Sequence, residues 1–188
     1  MAFDSVRIQN LITELLICIE GDPIRPPLLE TPRRVASALE EILDGYAVDI
    51  PNLFKTFEGE GQDQIVVVKD ICSYSICEHH VLPFYIRASV AYLPVEKVIG
   101  ASKIERVVNA YAHRLQLQER IARQVADSIM KYLQPRGVGV IIEGEHLCMR
   151  CRGVKSRESK MVNSVMLGDF RTEGSLRMEV LSLLGATR

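Results

Sequence analysis

Two strand-like runs flanking a short turn of reactive side chains constrain this fold more than any other stretch. Residues 64–76, "QIVVVKDICSYSI", are rich in β-branched side chains, and "RASVAYLP" at 87–94 reads as their antiparallel partner. In that partner Ala88, Val90 and Tyr92 face opposite to Ser89 and Ala91. Between the runs lies "CEHHVLPF", so Cys77, Glu78, His79 and His80 sit where one strand turns into the next. Four consecutive side chains cannot all address one ligand, so their work must be divided.

The rest of the chain alternates around this hairpin. Residues 5–20 carry Ile8, Leu11, Ile12, Leu15, Leu16 and Ile19 at helical spacing, ended by Gly21 and the Pro-rich "DPIRPPLLE". A second helix is predicted from "ETPRRVASALEEIL", with Thr31 as N-cap and Pro32 as its first residue. Residues 46–63 read as loop. "SKIERVVNAYAHRL" then has an apolar stripe of Ile104, Val107, Val108 and Tyr111, with Ser102 and Glu105 as a capping box. Leu117, Ile121, Val125 and Ile129 mark another helix to about Leu133, "VGVIIEGEHLCM" is strand-like, a further strand lies around 160–167, and a short helix follows Gly174. Helices, two strands, two helices, two strands and a helix make an α+β protein with an antiparallel sheet.

At 188 residues one domain is expected, with no repeat or long linker. A net charge of −1 gives no global electrostatic case for nucleic acid or a membrane surface. No apolar run reaches the roughly 18 residues of a membrane span. "MAFDSVRIQN" lacks a signal-peptide pattern, so a cytoplasmic location is expected. The five cysteines, an odd number without a secretion signal, point to free thiols or metal ligands rather than disulfides. Cys18 and Cys72 lie in apolar patterns and read as small buried side chains.

Cys77-x-x-His80 has the spacing that lets a turn wrap two ligands around one zinc ion, and "EHLCMRCRG" at 145–153 supplies more donors. If that second segment is extended, His146, Cys148, Arg150 and Arg152 point one way and Cys151 the other. Two arrangements fit. Cys77, His80, Cys148 and Cys151 can close a structural four-ligand site, or three ligands can leave a position open for water, with His79 and His146 free for acid–base work. Lys103 and Arg106 lie one turn apart at a helix start, which suits an anion, although two solvated cations would look the same. Arg33 and Arg34 carry the same ambiguity. Gln118 and Glu119 would ordinarily be surface residues, yet a carboxylate also suits the adjacent N–H donors of guanine. His113 reads as a helix-end histidine with no cluster around it.

Taken together, "ETPRRVA", "CEHH", "GASKIERVV", "LQLQER", "EHLCMRCRG" and "SVMLGDF" resemble, in order and separation, GTP cyclohydrolase I. The resemblance implies a tunnelling fold, with N-terminal helices over 1–45 and the core over 64–188. It also implies a toroidal homodecamer of two pentamers whose active sites lie between subunits. It implies one zinc ion per subunit on Cys77, His80 and Cys148, and acid–base roles for His79 and His146. Triphosphate binding falls on Ser102, Lys103, Arg106 and Arg152, with Arg34 lent by a neighbouring subunit, and guanine recognition on Gln118 and Glu119. The implied reaction converts GTP and water to 7,8-dihydroneopterin triphosphate and formate, with His146 transferring a proton at the purine and His79 a second one near the ring or ribose. A paralogue acting on GTP in a deazapurine route, or a silent zinc-stabilised binding protein, are the alternatives. The chain departs from the family pattern at Cys151, at Ile86 (where a glycine is common) and at Asn163 (where threonine is common).

Overall fold

The computed structural model describes residues 3–21 and 24–185. Asp22 and Pro23 of the Pro-rich break lie outside the described residues. The elements in chain order are α1 (Ser5–Glu20), α2 (Thr31–Ile42), β1 (Thr56–Glu58), β2 (Val66–Cys77), β3 (Leu82–Leu93), β4 (Lys97–Ile99), α3 (Ala101–Ala112), β5 (Leu115–Gln116), α4 (Gln118–Leu133), β6 (Gly137–His146), α5 (Leu147–Arg150), β7 (Met161–Gly168), α6 (Asp169–Thr172) and α7 (Gly174–Leu184). This is the expected α+β arrangement.

The main sheet has the order β5-β2-β3-β6-β7 and is antiparallel except where the short β5 runs parallel to β2. The β2–β3 hairpin pairs Cys77 with Leu82 at its tip, so the metal-type residues occupy a tight turn. A bulge between Val68 and Ile71, with Asp70 at φ 57°, resets the alternation of β2. Beyond it Ile71, Ser73, Ser75 and Cys77 point inward together. In β3, Ala88, Val90 and Tyr92 meet Val138, Val140 and Ile142 of β6 beneath α3 and α4. The helices contribute Ile104, Val107 and Val108 from one and Ile121, Val125 and Ile129 from the other. Each such fully buried side chain stabilises the fold by about 1.5–3 kcal/mol. On the opposite face Ala91, Leu93 and Met166 pack against Phe170, Val180 and Leu184 of α6 and α7. Ile86 is wholly buried in a regular strand, so the departure there adds core volume rather than a turn.

Several local expectations are corrected. The N-cap of α3 is Gly100, and Ser102 lies inside the first turn without a side-chain cap bond. Glu30 occupies the N-cap position of α2 without a side-chain cap bond, which places Thr31 first and Pro32 second. The 46–63 loop holds the short strand β1, paired with β4. Cys18 is exposed because no residue of α1 is buried, and Cys72 is exposed because β2 turns it to the outer face, where the Tyr85 hydroxyl donates to its sulfur at 2.7 Å. His113 has a partner after all, with Nδ1 2.7 Å from Asp44 Oδ1.

Candidate active site and metal centre

The turn Glu78–Val81 is closed by backbone N–H groups of His80 and Val81 donating to the Cys77 carbonyl, at 3.3 and 2.9 Å. Val81 takes a positive φ of 51° to make it. This folds the His80 ring back over Cys77, with Nδ1 3.6 Å from Sγ. His79, one residue earlier, projects outward and is exposed. The hairpin tip thus turns the His80 ring toward Cys77 and the neighbouring His79 away from it.

Cys148 joins the pair from the far side. The extended reading of "EHLCMRC" is corrected here, because the strand ends at His146 and the chain turns helically through α5. That turn buries Cys148 against Cys77 and leaves Cys151 exposed. Ligand atoms of Cys77, His80 and Cys148 all lie within 4.8 Å of one another, and Cys151 is outside the group. Burial first, and then the neighbouring Cys77 thiol, push the Cys148 thiol up. Two sulfurs and an imidazole so gathered are a donor set suited to zinc, and a cation there removes the penalty of adjacent thiolates.

His146 ends β6 opposite Phe84, and the two rings stack with centroids 4.3 Å apart and planes 8° from parallel. Burial holds its imidazole below the ordinary value, partly offset by the nearby Glu119 carboxylate. Glu119 itself is exposed at the start of α4. Gln118 departs from the expectation of an outward-facing pair. It is 1% exposed, and its amide is spent inside the protein. Nε2 donates to Ile142 O, Met161 O and Asn163 Oδ1, while Oε1 lies 3.0 Å from His146 Nε2.

The basic residues are dispersed. Arg152 stays beside the cluster, its Nη1 donating to the Cys148 carbonyl at 3.2 Å. Ser102, Lys103 and Arg106 occupy the first turns of α3, and Arg34 is exposed on α2. Among the described residues no hydrogen bond or ion pair joins these four to the metal group. Glu78, for which the sequence offered no task, pairs with both terminal nitrogens of Arg120 in α4. Nothing local in the sequence signalled that pair, since its members are 42 positions apart.

The sequence matches the GTP cyclohydrolase I family over residues 8–185. GTP cyclohydrolase 1 of Caldanaerobacter subterraneus is 46% identical over 186 residues, covering 98% of this chain and 99% of that protein. GTP cyclohydrolase 1 2 of Pseudomonas putida is 48% identical over 174 residues, covering 92% and 93%. GTP cyclohydrolase 1 of Leptospira biflexa is 48% identical over 179 residues, covering 94% and 97%. With matches of this extent over almost the whole length, the chain belongs to the GTP cyclohydrolase I family.

Proposed function

We propose that the chain performs its family's reaction as a zinc enzyme, with Cys77, His80 and Cys148 as the metal ligands. The reaction converts GTP and water to 7,8-dihydroneopterin triphosphate with release of formate. The observation that carries the reading is the convergence of two thiols and an imidazole within 4.8 Å, with His146 two residues before one of the thiols. A zinc ion held there supplies Lewis acidity and lowers the pKa of water toward about 7.

The chain's own residues do the rest. His146, stacked on Phe84, exchanges a proton with the purine ring, and the exposed His79 serves as a second acid–base group nearer the ribose. Glu119 accepts from the adjacent N–H donors of guanine. Ser102, Lys103, Arg106 and Arg152 cradle the triphosphate, and Arg34 reaches it from a neighbouring subunit. Their work is positioning, which converts binding into rate.

The single 188-residue domain acts as one subunit of a cytoplasmic tunnelling-fold assembly, a homodecamer of two pentamers. Support comes from α1, which leaves Val6, Leu11, Leu15 and Ile19 exposed. No described helix is long and apolar enough to cross a membrane.

The test is zinc-loaded protein with GTP, following formate and the fluorescence of the oxidised pterin. No formate from an intact oligomer with full zinc occupancy would sink the reading.

A further inference from the structure

Gln118 is a fully buried polar side chain beside the site, and its orientation is dictated by three oxygens. Nε2 lies 3.0 Å from the Ile142 carbonyl, 3.0 Å from the Met161 carbonyl and 2.8 Å from Asn163 Oδ1. Turning the amide over would set its oxygen against two backbone carbonyls that cannot donate, so Oε1 is bound to face His146 Nε2. An amide oxygen only accepts. The hydrogen in that 3.0 Å contact therefore belongs to His146 Nε2, and the neutral ring keeps its lone pair on Nδ1.

The space for this contact is built into β6. A Cβ on Gly144 would lie 1.9 Å from Gln118 Oε1, 2.9 Å from its Cδ and 3.4 Å from His146 Nε2. Any side chain there would take the niche that the carboxamide fills. Phe84 sets the plane of the His146 ring by stacking, but stacking leaves a half-turn flip of the ring about Cβ–Cγ open. Gln118 removes that freedom.

We infer that Gln118 is a positioning residue, not a guanine contact: seated in the Gly144 niche and held by Asn163, it fixes which way the His146 ring is flipped and its Nε2–H tautomer. The inference rests on the acid–base role proposed above for His146. It gives Asn163 a task, since its carboxamide oxygen supplies one of the three acceptors that orient Gln118. It also leaves base recognition to Glu119, since both amide hydrogens of Gln118 are committed. The arrangement follows the logic of an orienting partner on a functional histidine, where the second nitrogen's hydrogen bond decides which nitrogen is bare.

The experiment is solid-state nitrogen NMR of histidine-labelled, zinc-loaded protein, with His146 assigned by its loss in His146→Gln, alongside steady-state kinetics with GTP. Wild type should show a single neutral tautomer, protonated at Nε2. Gln118→Leu should give a mixture of tautomers, with kcat lowered about tenfold or more and KM within about twofold. An unchanged Nε2–H signal in Gln118→Leu, or a raised KM with kcat intact, would overturn the inference, the second result favouring a guanine contact. Because Gln118→Leu strands buried acceptors and can fail to fold, Asn163→Ala is the second variant. It keeps Gln118 but frees its amide, and it should broaden or split the His146 signal and lower kcat by a smaller factor. An unchanged signal and unchanged kcat in Asn163→Ala would overturn the inference too. Wild type that does not release formate would sink the proposed function alone, because the tautomer is read without substrate.

Discussion

Arg120 clasps the Glu78 carboxylate with both terminal nitrogens, Nη2 lying 3.0 Å from Oε1, and so ties the Cys77–His80 hairpin turn to the first turn of α4. A second strap runs beside it, from the Glu78 backbone N–H to the Gln116 carbonyl at 3.1 Å. Glu78 stands between Cys77 and His79, so anything that loosens it loosens the turn that aims His79 and His80.

The clasp should be visible as a pH-dependent stability difference. The Arg120 hydrogen bonds hold the Glu78 carboxyl below its ordinary value. Its contribution is complete at pH values above the unfolded carboxylate's, roughly 4.3, and is lost as pH falls through the lowered folded value. Glu78→Gln should therefore be less stable than wild type at pH 7, and the gap should close in acid. Urea melts at pH 7 and at pH 3 check this, and a gap of equal size at both would mean that the pair is not acting through charge. Arg120→Lys, which lacks the planar fork that meets the carboxylate with two parallel bonds, should lower activity severalfold with zinc retained.

Metal holding and acid–base work should separate by mutation. Cys77→Ser and Cys148→Ser should lose zinc and activity together. His79→Ala and His146→Ala should keep most of the zinc and lose activity by about 10²–10⁴-fold, the usual range for removing a general acid or base. Metal analysis alongside formate release reads both quantities. Loss of zinc from His79→Ala would put His79, rather than His80, on the metal.

Cys151 tests the closed site directly. It is exposed and lies outside the group of converging ligands. Cys151→Ala should leave zinc content and turnover unchanged within about twofold. A large drop in zinc would restore the closed site of three thiols and one imidazole that the turn of α5 disfavours.

What was legible in the sequence was what depends on near neighbours. Cys77 and His80 are three residues apart, and the tight turn between β2 and β3 suffices to bring them together. The alternation of Ala88, Val90 and Tyr92 is likewise local, because a strand's two faces are set by its own pleat. Cys148 could be nominated by type, but its burial depends on the chain leaving the strand at His146, and the apolar run through "HLCM" gave no hint of that exit. Gln118 was beyond reach for a different reason. A glutamine at the start of a helix is normally solvated, and only Gly144, 26 positions later, makes room to bury it. The capping box failed because Ser102 lies two residues past the true N-cap, the chain having already entered the helix after Gly100.

The Gly144 niche yields the sharpest packing prediction. A methyl group there cannot be absorbed by swinging Gln118 aside, because that amide is pinned by two carbonyls and Asn163. Nor can β6 back away freely, since Gly144 is paired with Ile86 on one side and Met161 on the other. Gly144→Ala should therefore cost about 1–3 kcal/mol, the usual penalty for overpacking a well-filled interior. It should also lower kcat more than Ala substitutions elsewhere in β6, because the strain falls on the oxygen that meets His146 Nε2. Chemical denaturation and single-turnover kinetics on the same preparation check the two effects. Unchanged stability together with unchanged turnover would show that Gln118 has another place to go, and that the contact with His146 is not needed.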